Sequence, residues 1–296
     1  MRRADVLNSL PVGPGAFVVE IGAGPTPFRY TKLILDKYPF ENIERHGDIV
    51  NMAPVIKADA VKLPLADQSC DLLFASHVLE HIGQPELFLQ EGKRCSKWIY
   101  LEFPTRVREL IYAWSFHRWL IEVEGQTLVF YRNDVPQMMG DFFHRNYDFL
   151  FDVLSEARFE ELNHSLCIET DRLAYRFSPQ TAFEHALQVS ARGEQKVDRG
   201  PYGSSGVGNL SYPRSLLIKT LLWSLTPDWL VKWRRRMQDR VNARRKPELT
   251  EAILTKMVCQ KCRANDLTFA DARSAIVCRS CQVRYPQVRG VFDFDF

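Results

Sequence analysis

The chain has 296 residues, of which 46% are apolar and 25% charged, a composition typical of a soluble globular protein with one large or two smaller domains. Its 39 basic and 36 acidic residues give a net charge of +3, which is too small to indicate a polyanionic partner for the chain as a whole. No apolar run is long enough to span a bilayer, and the first residues lack a signal-peptide core, so we expect a cytoplasmic protein.

The first predicted element is a buried strand, Phe17 to Ile21, that leads into two glycines. Gly22 and Gly24 allow the backbone to turn sharply and to approach a ligand closely, because they carry no Cβ. Glu20 lies near the carboxyl end of this strand, where open α/β sheets bind their ligands. The stretch therefore predicts a ligand site at the first turn.

The residues after this turn predict a helix. Apolar residues recur at helical spacing over Phe28 to Tyr38, and a helix that begins near Pro27 would point its free N–H groups at the ligand. The next stretch, Ile43 to Val50, is a polar and weakly predicted second strand.

Strands and helices then alternate. The predicted strands are Val55 to Ala58, Asp71 to Ala75 and Trp98 to Leu101, and a helix over His77 to Glu91 is interrupted near Gly83. This alternation predicts an α/β fold with a doubly wound, mostly parallel sheet.

The pattern changes after residue 105. Trp119 to Val123 and Thr127 to Tyr131 predict a hairpin, Val135 to Ala157 one or two helices, and Leu162 to Ile168 a late strand. Residues 193–213 are rich in Gly, Ser and Pro, which is typical of a linker.

A strongly basic segment follows. Residues 214–246 contain ten Lys or Arg and two Asp, and Asp228 to about Arg245 predicts an amphipathic helix. Three interpretations stay open: contact with an anionic membrane surface, contact with a nucleic-acid backbone, or a helix that packs on the main domain with solvated arginines.

Four of the seven cysteines form two Cys-x-x-Cys pairs, Cys259 with Cys262 and Cys278 with Cys281, separated by fifteen residues. Four thiolates at this spacing predict a closed tetrahedral Zn²⁺ site that serves structure, because no coordination position stays open. The metal should supply much of the folding free energy of so short a module. The other three cysteines are predicted to be small buried apolar residues: Cys70, Cys95 and Cys167.

Several motifs together carry a family resemblance. The series Val-Val-Glu-Ile-Gly-Ala-Gly (18–24), Ala-Asp-Ala (58–60), Leu-Pro-Leu-Ala-Asp-Gln-Ser-Cys-Asp (63–71) and Ser-His-Val-Leu-Glu-His (76–81) resembles class I S-adenosylmethionine-dependent methyltransferases of the type 11 domain. The resemblance implies a Rossmann-like, seven-stranded sheet with the cofactor across its carboxyl edge. A dehydrogenase is disfavoured, because Pro27 takes the place of the third glycine of Gly-x-Gly-x-x-Gly.

The resemblance also implies a role for each position. The residues expected around the cofactor are Glu20, Gly22 and Gly24 at the methionine part, Asp48 at the ribose hydroxyls with Glu44 in reserve, Asp59 and Ala60 at the adenine, and Ser76 and His77 along the lower edge. Asp48 was chosen because its distance from Asp59 fits the family spacing.

Methyl transfer to a hydroxyl benefits from a base, and His81 and His117 are the candidates. His-x-x-Glu-His (77–81) also resembles part of the Glu-x-x-Glu-His metal motif of some O-methyltransferases, with His77 in place of the first glutamate. The alternative is that Glu80 and His81 only brace the segment after the strand.

The tail 281–292 resembles the zinc-ribbon proteins that activate tRNA and release-factor methyltransferases, which implies that the module docks in cis on the catalytic domain. We therefore predict a methyltransferase domain (1–185), a linker with the basic helical segment (186–250) and a zinc ribbon (251–296). The expected acceptor is a small molecule or glycan methylated on oxygen. An RNA or protein acceptor and a non-catalytic scaffold are the alternatives.

Overall fold

The computed structural model describes residues 3–41, 44–45, 47–50, 52–136, 159–191 and 247–295. The helices predicted within 135–157, the linker at 193–213 and the basic helix within 214–246 lie largely or wholly outside the described residues, and they stay predictions. None of the helices in the described part is both long and apolar enough to cross a membrane.

The main sheet contains the predicted parallel strands. In chain order, the strands of the described residues are β1 Val18–Ile21, β2 Thr31–Asp36, β3 Val55–Lys57, β4 Cys70–Ser76, β5 Ser96–Pro104, β6 Trp119–Glu124, β7 Thr127–Arg132, β8 Asn163–Glu169, β9 Ala174–Thr181, β10 Leu267–Phe269, β11 Ala275–Cys278, β12 Arg284–Val288 and β13 Val291–Asp293. The order β3-β2-β1-β4-β5 is parallel throughout, and β8 pairs antiparallel with β5. The predicted Rossmann-like α/β fold is confirmed.

The helices are short. They are α1 Arg3–Asn8, α2 Pro85–Cys95, α3 Arg106–Tyr112, α4 Phe159–Leu162, α5 Ala182–Ala191 and α6 Glu251–Leu254, with a 3₁₀ turn at Leu79–His81. The break between this turn and α2 is the predicted interruption near Gly83, and Pro85 begins α2, where a missing N–H is harmless. Helix α5 runs across residue 185, and the predicted domain boundaries stay a prediction.

The helix predicted over Phe28 to Tyr38 is wrong. Thr31–Asp36 is instead a strand buried on both faces, paired with β1 on one side and β3 on the other. A continuous run such as Leu33-Ile34-Leu35 satisfies helical spacing by accident, and apolar periodicity alone does not distinguish a buried strand from a buried helix. The second strand therefore lies before the Ile43 to Val50 stretch, whose described residues form no strand.

The described residues also form a second, smaller sheet of three strands, in the order β6-β7-β9. Strands β6 and β7 form the predicted antiparallel hairpin around Gly125, and β9 adds to β7 in parallel. The parallel partner was not anticipated from the sequence.

The cysteine module extends the main sheet. Strands β10 to β13 form an antiparallel meander, and β13 pairs in parallel with β3 through Phe292 opposite Ile56 and Asp293 opposite Lys57. The edge of the main sheet is thereby covered by a strand of the same chain. The module docks in cis, as the sequence predicted.

Candidate functional site

A cavity of about 650 Å³ lies at the carboxyl ends of β1 to β4, within the size range of small-molecule sites. The residues that line it and also carry the argument below are Gly22, Asp36, Lys37, Glu44, Arg45, Asp59, Ala60, His77, Val78, His81 and Arg118. This edge of the sheet is where α/β folds bind ligands.

The turn after β1 needs glycine at position 22. Gly22 has a φ of +64°, and a Cβ there would lie 2.7 Å from Cγ2 of Val78. The cavity therefore begins at a backbone position that admits no side chain.

The Glu20 carboxylate stabilises this turn by hydrogen bonds. Its Oε2 accepts hydrogen bonds from the Phe28 N–H at 2.9 Å and from the Thr31 hydroxyl at 2.5 Å. Burial raises the pKa of Glu20 to about 7, against the lowering effect of these hydrogen bonds and of the Arg3 charge. Glu20 supports the turn and does not line the cavity, and no helix begins after the turn to offer free N–H groups.

The position at the end of the second strand belongs to Asp36. Because the second strand is Thr31–Asp36, Asp48 does not end a strand, and the spacing argument that selected it is wrong. Asp36 is 5% exposed, and both of its carboxylate oxygens lie 3.0 Å from Arg45 Nη2. The sequence signal for Asp36 is an acidic residue directly after the apolar run Leu33–Leu35. It was missed because this stretch was predicted to be a helix.

The reserve candidate, Glu44, lines the same cavity as Asp59 and Ala60. Its Oε2 is 3.4 Å from His81 Nδ1. Asp59 and Ala60 do line the cavity, directly after β3. The Asp59 carboxylate forms an ion pair of 2.6 Å with Lys37 and accepts a hydrogen bond from the Val61 N–H.

Ser76 belongs to a buried charge network and not to the cavity lining. Its hydroxyl donates to Glu102 at 2.9 Å and accepts from Arg3 at 3.1 Å. Glu102 also binds the Arg3 Nε and the Tyr100 hydroxyl. Burial raises the pKa of Glu102, but His77, Arg3 and Tyr100 outweigh it and hold the pKa well below its usual range.

His77 occupies the sharp turn after β4, with a φ of +54°. Its Nδ1 lies 3.1 Å from Glu80 Oε1, and its Nε2 lies 3.4 Å from Glu102 and 3.1 Å from Arg108 Nη1. Burial and the Arg108 charge lower the pKa of His77, but the two carboxylates raise it above its usual value. Sequence reasoning missed Arg3, Glu102 and Arg108, because charged residues on strands and helices carry no signal of burial.

His81 and His117, the two residues predicted for catalysis, lie against each other beside the cavity. Their rings pack edge to face at 4.7 Å between centroids, and Glu80 completes a compact group of possible metal ligands. Glu109 Oε1 lies 2.5 Å from His117 Nδ1. His81 faces the cavity, whereas His117 stands behind it.

The four predicted zinc ligands also converge. Cys259 Sγ lies 3.5 Å from Cys281 Sγ, and Cys262 Sγ lies 3.6 Å from Cys278 Sγ. Tetrahedral Zn²⁺ with bonds of about 2.3 Å separates its sulfurs by about 3.8 Å, so the cluster fits the ion closely. Burial raises the pKa of the Cys259 thiol, but hydrogen bonds from the Tyr285 hydroxyl and two backbone N–H groups lower it to about 6.

The cysteine module holds the segment that follows Asp59. Backbone hydrogen bonds run from Val258 N–H to Pro64 O and from Ala66 N–H to Lys256 O, and Gln260 Nε2 donates to Lys62 O. The module therefore supports one wall of the cavity.

Comparison with known proteins agrees with this architecture. Residues 11–97 match a family model described as a methyltransferase domain. No significant relative was found among curated proteins.

Solved structures give weaker likenesses. A SAM-dependent methyltransferase from Aquifex aeolicus is 20% identical over 35% of this chain and 64% of its own, with a TM-score of 0.27. The complex of the Haloferax volcanii Trm112 methyltransferase activator with a putative methyltransferase is 14% identical over 56% of this chain and 88% of the other, with a TM-score of 0.34. The chain thus spans slightly less than two thirds of the Aquifex protein.

The family match covers β1 through the start of β5, which are the strands that form the cavity edge. The chain therefore contains a class I S-adenosylmethionine-dependent methyltransferase domain.

Proposed function

We propose that this protein transfers the methyl group of S-adenosylmethionine to an oxygen atom of a small molecule or glycan. The observation that carries the proposal is the cavity at the carboxyl edge of the sheet, where Gly22, Asp36 and Asp59 follow one another in chain order. Methyl transfer from a sulfonium is an in-line displacement, so alignment of donor and acceptor supplies much of the acceleration. A cavity of this size suits a small acceptor better than a folded macromolecule.

The cofactor would lie along this edge with its methionine part over Gly22 and its adenine beside Asp59 and Ala60. Asp36 takes the role first given to Asp48, because a carboxylate that ends the second strand can accept two hydrogen bonds from the ribose hydroxyls. Arg45 neutralises Asp36 in the structure, and it would have to share the carboxylate with the ribose.

His81 and His117 would assist the acceptor. His81 lines the cavity within the same wall as Arg118, and His117 packs behind it. The acceptor oxygen would therefore approach from the side of the turn at residues 77–83, opposite the cysteine module.

The cysteine module would hold one structural Zn²⁺ and stabilise the adenine wall. The sulfur separations support the metal, and the backbone hydrogen bonds to segment 62–66 support the link between the metal and the cavity. The predicted membrane or nucleic-acid contact through residues 214–246 stays a separate prediction.

Isothermal titration calorimetry with S-adenosylmethionine tests the binding step, with Asp36→Asn and Asp48→Asn as a matched pair. We expect Asp36→Asn to weaken binding by at least tenfold and Asp48→Asn to leave it nearly unchanged. The reverse result would restore Asp48. Absence of binding to the wild-type chain would contradict the enzyme and favour a scaffold.

Transfer of a radiolabelled methyl group to fractionated cell extract tests the acceptor class. We expect label in the small-molecule or glycan fraction, and metabolite profiles of a knockout strain should lack the same product. Label confined to RNA or protein would overturn the small-acceptor proposal while keeping the methyltransferase.

A further inference from the structure

We infer that Glu80, His81 and His117 bind a divalent transition-metal ion beside the cavity, at a site separate from the four cysteines. One ligand atom of each residue lies within 4.8 Å of the other two. Glu80 and His81 are consecutive on the 3₁₀ turn after β4, whereas His117 comes from the loop that leads into β6. The tertiary fold, and not a local motif, brings the three together.

Two polar atoms of this group are buried and lack a hydrogen-bond partner within the described part of the chain, namely Glu80 Oε2 and His81 Nδ1. Glu80 is 0% exposed. The nearest carboxylate to His81, that of Glu44, lies 3.4 Å away without the geometry of a hydrogen bond. Unsatisfied buried polar atoms destabilise a fold, so both atoms point to a missing ligand.

His117 has a carboxylate partner on one ring nitrogen, as metal-ligating histidines usually have. Its Nδ1 lies 2.5 Å from Glu109 Oε1, which is 1% exposed, and Asn133 Nδ2 donates to the His117 carbonyl at 3.1 Å. A carboxylate on one ring nitrogen fixes the tautomer and leaves the other nitrogen, Nε2, to coordinate the ion. Because the Glu109 carboxylate already holds the ring, Nε2 does not need a hydrogen bond for that purpose.

His77 does not belong to the ligand set, although it occupies the first position of the motif His-x-x-Glu-His. Both of its ring nitrogens face other side chains: Nδ1 faces Glu80 Oε1, and Nε2 faces Glu102 and Arg108. His77 is therefore a positioning residue that holds Glu80 Oε1 and leaves Glu80 Oε2, which has no hydrogen-bond partner in the described part of the chain, for the ion.

Two imidazole nitrogens and one carboxylate oxygen suit Zn²⁺ or a similar first-row ion and do not suit Mg²⁺ or Ca²⁺. Three protein ligands leave a coordination position open, and His81 places that position at the cavity wall. The proposed role of this position, though not the binding of the ion, rests on the proposed function: it would hold the acceptor oxygen and lower the pKa of its hydroxyl, whose proton passes to water.

Cobalt titration of the metal-stripped full-length protein tests the site, because Co²⁺ reports its ligands by its absorption spectrum. We expect two equivalents to bind. One should show the intense thiolate-to-cobalt charge-transfer band of the cysteine cluster, and the other should show only the weak bands of nitrogen and oxygen ligands. A single equivalent, all of it bound to thiolate, would overturn the inference.

His117→Gln and, independently, His81→Gln should each lose the second equivalent and keep the first. The matched control is His164→Gln, because His164 also lies beside a partly buried carboxylate, 3.5 Å from Glu122 Oε2, but outside the cluster. It should keep both equivalents. Retention of two equivalents by both cluster variants would place the second ion elsewhere and contradict the assignment. Circular dichroism shows whether each variant is folded. If His117→Gln does not fold, His81→Gln tests the assignment on its own.

Discussion

The cavity has two flanks that are built by different means. The ribbon flank consists of β3, segment 59–66 and the cysteine module, and backbone hydrogen bonds and four thiols close in sequence hold it together. The histidine flank consists of the turn at 77–83 with His117, and buried charged side chains from distant segments hold it together. The ribbon flank depends on a metal whose ligands can be predicted from the sequence. The histidine flank depends on how the charged side chains in the fold compensate one another.

Loss of one thiolate should have the largest effect, because it breaks the ribbon flank. A structural zinc site of this kind supplies roughly 10–16 kcal/mol toward folding of its module, so Cys278→Ser should lower the free energy of unfolding by at least about 5 kcal/mol. It should also weaken S-adenosylmethionine binding, because segment 62–66 loses its support. Metal analysis, chemical denaturation and calorimetry measure the three effects.

Cys167→Ser is the control for this variant, since Cys167 lies on β8 far from the cluster in sequence and is a free thiol. It should retain the zinc and the cofactor affinity. Loss of zinc from Cys278→Ser without any change in cofactor affinity would show that the cofactor site does not depend on the ribbon flank.

Glu102→Gln should break the histidine flank. Glu102 is 2% exposed and is the counter-charge of Arg3 and a partner of His77, so its neutralisation leaves two partly buried charges without compensation, at about 3 kcal/mol near pH 7. Because the folded-state pKa is lowered, this stabilisation is present above about pH 4.5 and is lost as the pH falls further. The stability difference between wild type and variant should therefore shrink on acidification.

Urea denaturation between pH 3.5 and pH 7 measures this difference, because this interval spans most of the range, about one pH unit on either side of 4.5, over which the glutamate of an unfolded chain titrates. Glu124→Gln is the control, because the Glu124 pair with Arg176 is solvent-exposed and contributes little to stability. A Glu102→Gln deficit that does not vary with pH would refute the charge-balance account.

Glu20→Gln should show the opposite dependence on pH and so sharpen the contrast. With a folded-state pKa of about 7 and an ordinary value of 4.5, folded Glu20 holds its proton while the unfolded chain has lost it. The wild type should therefore lose about 3 kcal/mol of stability between about pH 4.5 and pH 7, and the variant should not. The two stability curves, compared by denaturant midpoints, should diverge as the pH rises; parallel curves would refute the raised pKa.

Gly22→Ala should cost somewhat more stability than Gly125→Ala, and it alone should affect binding. Alanine at position 22 would have to adopt a left-handed backbone conformation, and its Cβ would also clash with the Val78 side chain. Alanine at position 125, where φ is +62°, would have only the backbone strain, because no atom lies within 4 Å of its Cβ. Both variants should lose about 1 kcal/mol from the backbone. Gly22→Ala alone should also lose S-adenosylmethionine affinity, by about tenfold in calorimetry. Equal affinities of the two variants would remove the turn from the cofactor site.

Much of the fold could be predicted because its signals are local. The strand and glycine turn at 17–24, the buried strand Cys70–Ser76, the hairpin around Gly125 and the two Cys-x-x-Cys pairs each follow from residues a few positions apart. The prediction failed where a local pattern fits two structures: the run Leu33-Ile34-Leu35 was assigned to a helix, which displaced the second strand and led to Asp48 instead of Asp36.

The methyltransferase domain, most strands of the parallel sheet and the cysteine cluster could be predicted from residue spacing, because spacing along the chain limits which strands, turns and tetrahedral ligand sets can form. The addition of β13 to β3, the end of the second strand at Asp36 and the contact of His117 with Glu80 and His81 became visible only in the folded chain. These outcomes depend on contacts between segments far apart in the chain, and the packing of the whole fold, not the local preference of any segment, selects them.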